Sequence, residues 1–273
     1  MVEKEFVMKN TINRKHYPWK SFTVFLGIYL ISLVLHYPAV LEQARLFLEL
    51  FGENSQYTPV QFSLISMLQP LLLGVIVIYV GHRFVEPVQL RSVLTDKIEN
   101  RTSVNTFTIK DSIPFVVSSA VLIALLNLGF DVVFQNWLPE LFQPEFSVPT
   151  IAQSLSSIFF AGLAQEILLR WGVMTAIIYV LSTKGTKLND MHYFIGLIFT
   201  AILYAFSQYS NIFNTMDLSF VLLLRVLLLS GLPGILYGWL YKKFHFEAAV
   251  MSHMLANSLI IVGYIIIVEL SAI

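Results

Sequence analysis

The sequence predicts an all-α integral membrane protein of about seven transmembrane helices, with the N-terminus cytoplasmic and the C-terminus outside. Three observations predict it. The 273 residues are 56% hydrophobic and only 12% charged, whereas a soluble domain carries about 25% charged residues. The mean hydropathy is +0.73. The apolar residues gather into runs that meet the length of about 20 residues needed to cross a bilayer as a helix. The formal net charge is zero and cysteine is absent. The first leaves no electrostatic footprint for nucleic acid. The second removes disulfides, thiolate catalysis and cysteine-ligated metals.

The arm Met1–Lys20 is polar and basic. The apolar run after it ends in His36-Tyr37-Pro38 without a small-residue cleavage site, so it reads as a retained first span rather than a signal peptide. Spans are expected near 20–37, 60–81, 112–134, 152–182, 192–210, 218–241 and 246–268. Basic residues orient them. Of the 17 Lys and Arg, 14 fall in the N-terminal arm and in the loops after spans two, four and six. The alternate loops hold only Arg45, while Arg170 and Arg225 lie inside spans. The positive-inside rule then places the N-terminus in the cytoplasm, and an odd span count preserves the alternation. The loop Leu90–Lys110 is polar. The stretch Gln135–Pro149, with Pro139, Pro144 and Pro149, reads as an outer loop. It divides the chain into a front part, 1–150, with the arm and three spans, and a four-helix back part, 151–273.

Unusual polar residues concentrate in the back part. An ionisable residue in a span costs on the order of 2.5–3.5 kcal/mol on insertion scales, so each invites an explanation. Span four carries Gln165, Glu166 and Arg170. The last two are four residues apart, share a helix face and can pair. Span five ends in Tyr204-Ala205-Phe206-Ser207-Gln208. Taken alone, Gln208 is an interface residue. Span six carries Arg225, for which an acidic or carbonyl partner is expected. Next comes Gly231-Leu232-Pro233-Gly234-Ile235-Leu236-Tyr237-Gly238. Gly234 and Gly238 offer a small-xxx-small surface for close packing, and Pro233 predicts a kink. Span seven carries His253 and Asn257, one polar stripe whose two donors could hold an oxyanion.

The motifs Gln165-Glu166-Ile167-Leu168-Leu169-Arg170, Tyr204-Ala205-Phe206-Ser207-Gln208 and His253-Met254-Leu255-Ala256-Asn257 together resemble a known family. This is the CAAX-protease and bacteriocin-processing (CPBP, or Abi) group of intramembrane proteases, whose signatures are Glu-Glu-x-x-x-Arg, Phe-x-x-x-His and His-x-x-x-Asn. The resemblance covers roughly Ser154 to Leu259. It implies a catalytic set of Glu166, Arg170, His253 and Asn257. It also implies a multi-pass protein of the cell membrane in a bacterial setting, with a membrane-embedded or membrane-proximal protein or peptide as partner beside the lipid bilayer. The two positions that the resemblance assigns to water activation hold Gln165 and Gln208. An amide has no accessible protonation equilibrium near neutral pH and is no general base.

Three functions compete. One is an endopeptidase with a variant site, in which Glu166 polarises water and His253 and Asn257 bind the oxyanion. Another is a non-catalytic relative acting as a scaffold, a regulator or a bacteriocin self-immunity protein. The least favoured is a small transporter, since no paired half-helices or repeats are evident. No cofactor is assigned, and a divalent metal stays open without a clear ligand set. A divalent metal has two conceivable ligands, Glu166 and His253, but a catalytic zinc usually takes three. None of His36, His82, His192 and His245 is an obvious third. Counted at 1.5 Å per residue, Glu166 lies near mid-membrane, Gln208 roughly 10 Å further out and His253 slightly to the cytoplasmic side. Straight helices would keep them apart. Tilted or broken helices around a cavity would bring them together.

Overall fold

A computed structural model describes residues 17–51, 56–101, 106–134, 136–138, 148–183, 187–213 and 219–271. The described residues contain no strand. Among the described residues seven helices are long and apolar enough to cross a membrane, the number the hydropathy pattern predicts. They are α1 (Trp19–Phe51) and α2 (Pro59–Phe84), α4 (Ile109–Phe134), α5 (Ile151–Thr183), α6 (Asp190–Phe213), α7 (Phe220–Lys243) and α8 (Phe246–Ser271). A short helix, α3 (Val93–Ile98), precedes α4. Most basic residues of the N-terminal arm, with Pro139, Pro144, Lys184 and Asp217, lie outside the described residues.

The helix starts are chemically marked. Thr58 before α2 and Thr150 before α5 each form a capping box, with Gln61 and Gln153 respectively. Such boxes satisfy amide groups that the first helical turn leaves unpaired. Two elements depart from expectation. Helix α1 does not end at Pro38 but runs through it to Phe51. Proline removes one hydrogen bond, and the helix-forming run Leu41–Leu50 that follows carries the helix on. The loop Leu90–Lys110 contains α3, whose start is capped twice. Ser92 accepts from the Thr95 amide. The Glu247 carboxylate of α8 accepts from the amides of Val93 and Leu94 and from the Ser92 hydroxyl.

One continuous core joins the front and back helices. Phe25 and Tyr29 of α1, Ile78 of α2, Ile123 of α4, Trp171 of α5, Tyr237 of α7 and Phe246 of α8 all belong to it. Close approaches hold the back helices together. The surface expected at Gly234 and Gly238 packs on α6. A Cβ at Gly234 would come within 3.0 Å of the Ala201 Cα, and one at Gly238 within 3.0 Å of the Leu197 Cγ.

Helices α5 and α7 are not regular. Ser156–Ala164 and Ile167–Met174 of α5, and Leu227–Gly231 of α7, are π-helical. π turns are rare and are frequently found at functional sites. Pro233 follows the α7 segment directly, so the irregularity expected there takes the form of a π-to-α junction. These are the interrupted helices that the axial positions of Glu166, Gln208 and His253 call for.

Candidate active site

Glu166 and Arg170 pair as their spacing predicts, with Nε to Oε2 at 3.3 Å. Both are fully enclosed, at 1% and 0% exposure. The contact is ionic without hydrogen-bond alignment: neither Oε2 nor Nε has a hydrogen-bond partner among the described residues. Arg170 is anchored instead through Nη2, which donates to the Gly234 carbonyl at 2.7 Å. The same glycine therefore lets α6 and α7 meet and presents its carbonyl to the guanidinium.

His253 faces the other oxygen of the carboxylate. Its Nδ1 lies 2.9 Å from Glu166 Oε1. A carboxylate only accepts, so Nδ1 carries the proton and Nε2 is left as the ring's acceptor. Nε2 is 3.4 Å from the Tyr204 hydroxyl. Tyr237 stacks on the imidazole at 4.3 Å and 16°, and Tyr204 meets it edge-on. The ring is thus held by a carboxylate, the stacked face of Tyr237 and an edge-on contact with Tyr204. A third group orienting an acid–base imidazole is the arrangement that fixes tautomer and direction in hydrolase triads.

His253 also lines a cavity of about 260 Å³ among α4, α5, α6, α7 and α8, which it shares with Gln208, Asn257, Tyr204 and Tyr237. The cavity is polar and exceeds the ~30 Å³ share of one water several-fold. Asn257 donates one amide hydrogen to the Ser157 carbonyl at 2.6 Å. Gln208 lines the same wall one turn beyond Tyr204.

The remaining site candidates stand apart from this space. Glu166 reaches the cavity only through His253 and does not line it. Gln165 does not line it either, and its Oε1 is buried without a hydrogen-bond partner among the described residues. Of the two amides at positions assigned to water activation, one faces the cavity and the other does not.

Sequence reasoning missed the second charged cluster of the cavity. Asp131 of α4 accepts from Arg225 of α7 at Oδ1, from Nη2 at 2.5 Å and Nε at 3.1 Å. The Tyr264 hydroxyl of α8 donates to Oδ2. All three residues line the cavity. The acidic partner expected for Arg225 is therefore Asp131, 94 residues earlier. The signal was present: Asp131 is an ionisable residue inside an apolar span, the same mark that singled out Glu166. Among the described residues no group of three or more His, Asp or Glu is placed to hold a metal ion.

Comparison with known proteins bears on the same segment. Residues 147–259 match the family model described as Rce1-like, type II CAAX prenyl endopeptidase Rce1-like. The matched range contains all three motifs. No curated protein matches the chain, and no solved structure does.

Proposed function

We propose, from the premise that residues 147–259 are a segment of the CAAX-protease and bacteriocin-processing family, that this multi-pass membrane protein is an endopeptidase whose acid–base group is His253. One observation carries the reading. The His253 imidazole is bound at Nδ1 by Glu166 and stands in the wall of a polar cavity. Nε2 takes a proton from a cavity water. The hydroxide attacks the peptide carbonyl carbon, the C–N bond breaks, and the proton passes from His253 to the leaving amine. Glu166 positions the ring and offsets the imidazolium, and Arg170 holds Glu166. Asn257 has a second amide hydrogen to give to the oxyanion. The amides at 165 and 208 are then not required as bases. An oriented acid–base group supplies typically 10²–10⁴ in rate.

The distribution of Lys and Arg supports a cytoplasmic N-terminus and an outer C-terminus in a cell membrane. The occupant of the cavity is a membrane-embedded or membrane-proximal polypeptide. The test is cleavage of a quenched fluorescent peptide pool by the purified chain in bilayer discs. The double variant Glu166→Met/Arg170→Met removes both charges together, a replacement that buried pairs often tolerate, and is expected, where its thermal midpoint shows it folded, to lose at least about 10² in rate. An unchanged rate in that variant contradicts the proposal.

A second reading rests on Gln165 and Gln208. It makes the chain a non-catalytic relative that binds a membrane partner, as a scaffold or a bacteriocin self-immunity protein would. Cleavage that appears only after Gln165→Glu with Gln208→His supports it. Cleavage by the unmodified chain removes it.

A further inference from the structure

The cavity has most of its lining towards one end of the bundle. On α4 its lining residues are Ile123, Asn127 and Asp131, all in the half that leads to residue 134. On α6 they are Tyr204 and Gln208, in the half that leads to 213. On α5 they are Ser157 and Ala161, in the half that begins at 151. The charged cluster sits at the same end, with Arg225 six residues or fewer from the start of α7 and Tyr264 in the last third of α8. These helix ends adjoin the connections that carry no Lys or Arg between residues 135 and 149 and between 211 and 219. Towards the basic loops the lining extends to Tyr237 of α7 and His253 of α8. Behind His253, outside the lining itself, lie the buried Glu166 and Arg170. Beyond them Trp171 and Phe246 pack ring on ring with Phe25, and Tyr241 packs on Phe246.

We infer that the cavity is reached from the non-cytoplasmic side, past Asp131, Arg225 and Tyr264, and that it takes a polar, unprenylated segment of an exported polypeptide. The inference rests on the orientation reading above for the direction of access, with the geometry giving the end of the bundle, and on the peptidase reading for the identity of the occupant. Three points lead to the polypeptide. The lining is mostly polar, and its amides, hydroxyls and carboxylate can satisfy a peptide backbone that bilayer lipid cannot. An apolar prenyl chain would leave those groups unpaired, at a cost for each. The volume of about 260 Å³ sits just under the usual range for ligand pockets. It suits a few residues in extended form rather than a folded domain.

The absence of native cysteine makes the test clean. Single cysteines are introduced as Ser230→Cys on α7 and, as a second probe on the opposite wall, Ser157→Cys on α5. Gln56→Cys and Lys97→Cys serve as references on the two sides. Intact cells are treated with a charged, membrane-impermeant methanethiosulfonate. The expected result is labelling of Gln56→Cys and of at least one cavity cysteine, with Lys97→Cys labelled only after permeabilisation. Cavity cysteines that label only together with Lys97→Cys overturn the direction of access. So do cavity cysteines that never label, and so does a reversal of the two references. A single-span reporter bearing the cleavable peptide on its exported or its cytoplasmic flank tests the occupant. Cutting of the exported flank alone is expected, and cutting of the cytoplasmic flank overturns the inference. Outward labelling with no cut on either flank removes the peptidase reading and leaves the direction of access standing.

Discussion

Glu166 and Arg170 illustrate how a charged pair persists in an apolar interior. Each alone would be an uncompensated buried charge, and removing one partner of such a pair costs about 3–5 kcal/mol. Glu166→Ala strips the carboxylate from a guanidinium with no exposure, leaving it the Gly234 carbonyl at 2.7 Å. A thermal midpoint in detergent should fall well below that of the parent. Replacing both residues by methionine should restore most of the loss, because buried ion pairs are often matched by apolar residues of similar size. If the single and double variants fall equally, the pair does not act as a unit. Asp131 and Arg225 form the second such pair, at 6% and 17% side-chain exposure. Asp131→Ala should destabilise in the same direction.

Among the elements, α7 ties the site together. Gly234 meets Ala201 of α6 at backbone distance and accepts from Arg170 of α5. Gly234→Leu should therefore separate α6 from α7 and displace Arg170 at once. The expected readout is a sharp drop in folded, monodisperse protein on size exclusion, whereas the same change at Gly231, where an added Cβ meets nothing within 4 Å, should be mild. The spans were legible in sequence because membrane hydropathy is a strong local signal. The polar residues of α5, α6 and α8 were legible because intramembrane polarity is costly. What stayed hidden was non-local. Helix α3 forms because Glu247, more than 150 residues later, caps it. The continuation of α1 through Pro38 depends on the run that follows. The pairing of Asp131 with Arg225 and Tyr264 depends on three helices meeting. Pro233 announces an irregularity in α7, but nothing in the local sequence announces its π form or the π segments of α5.

Across the whole molecule, the front helices belong to the site's architecture. Helix α4 supplies one cavity wall and Asp131, and α1 reaches the start of α5 where His36 Nδ1 lies 2.7 Å from Ser156 Oγ. At the opposite end Glu247 fastens α3 to α8 through three hydrogen bonds. Hydrogen bonds to a charged group are worth about 1.5–3 kcal/mol. Glu247→Ala should lower the thermal midpoint without changing which cavity residues label from outside, since α3 lies beyond the aromatic layer. A change in the labelling pattern would mean that the two ends of the bundle are coupled.

The central claim is that His253, held by Glu166, is the group that does chemistry in the cavity. The most direct measurement is the cleavage rate of a quenched fluorescent peptide by the purified chain and by His253→Gln, compared at matched thermal midpoints. Glutamine can keep a hydrogen bond to Glu166 but has no proton to exchange near neutral pH. The account predicts measurable cleavage by the parent and a loss of about 10²-fold or more in the variant. Equal rates in the two proteins, or no cleavage by the parent under any condition that keeps it folded, would contradict it.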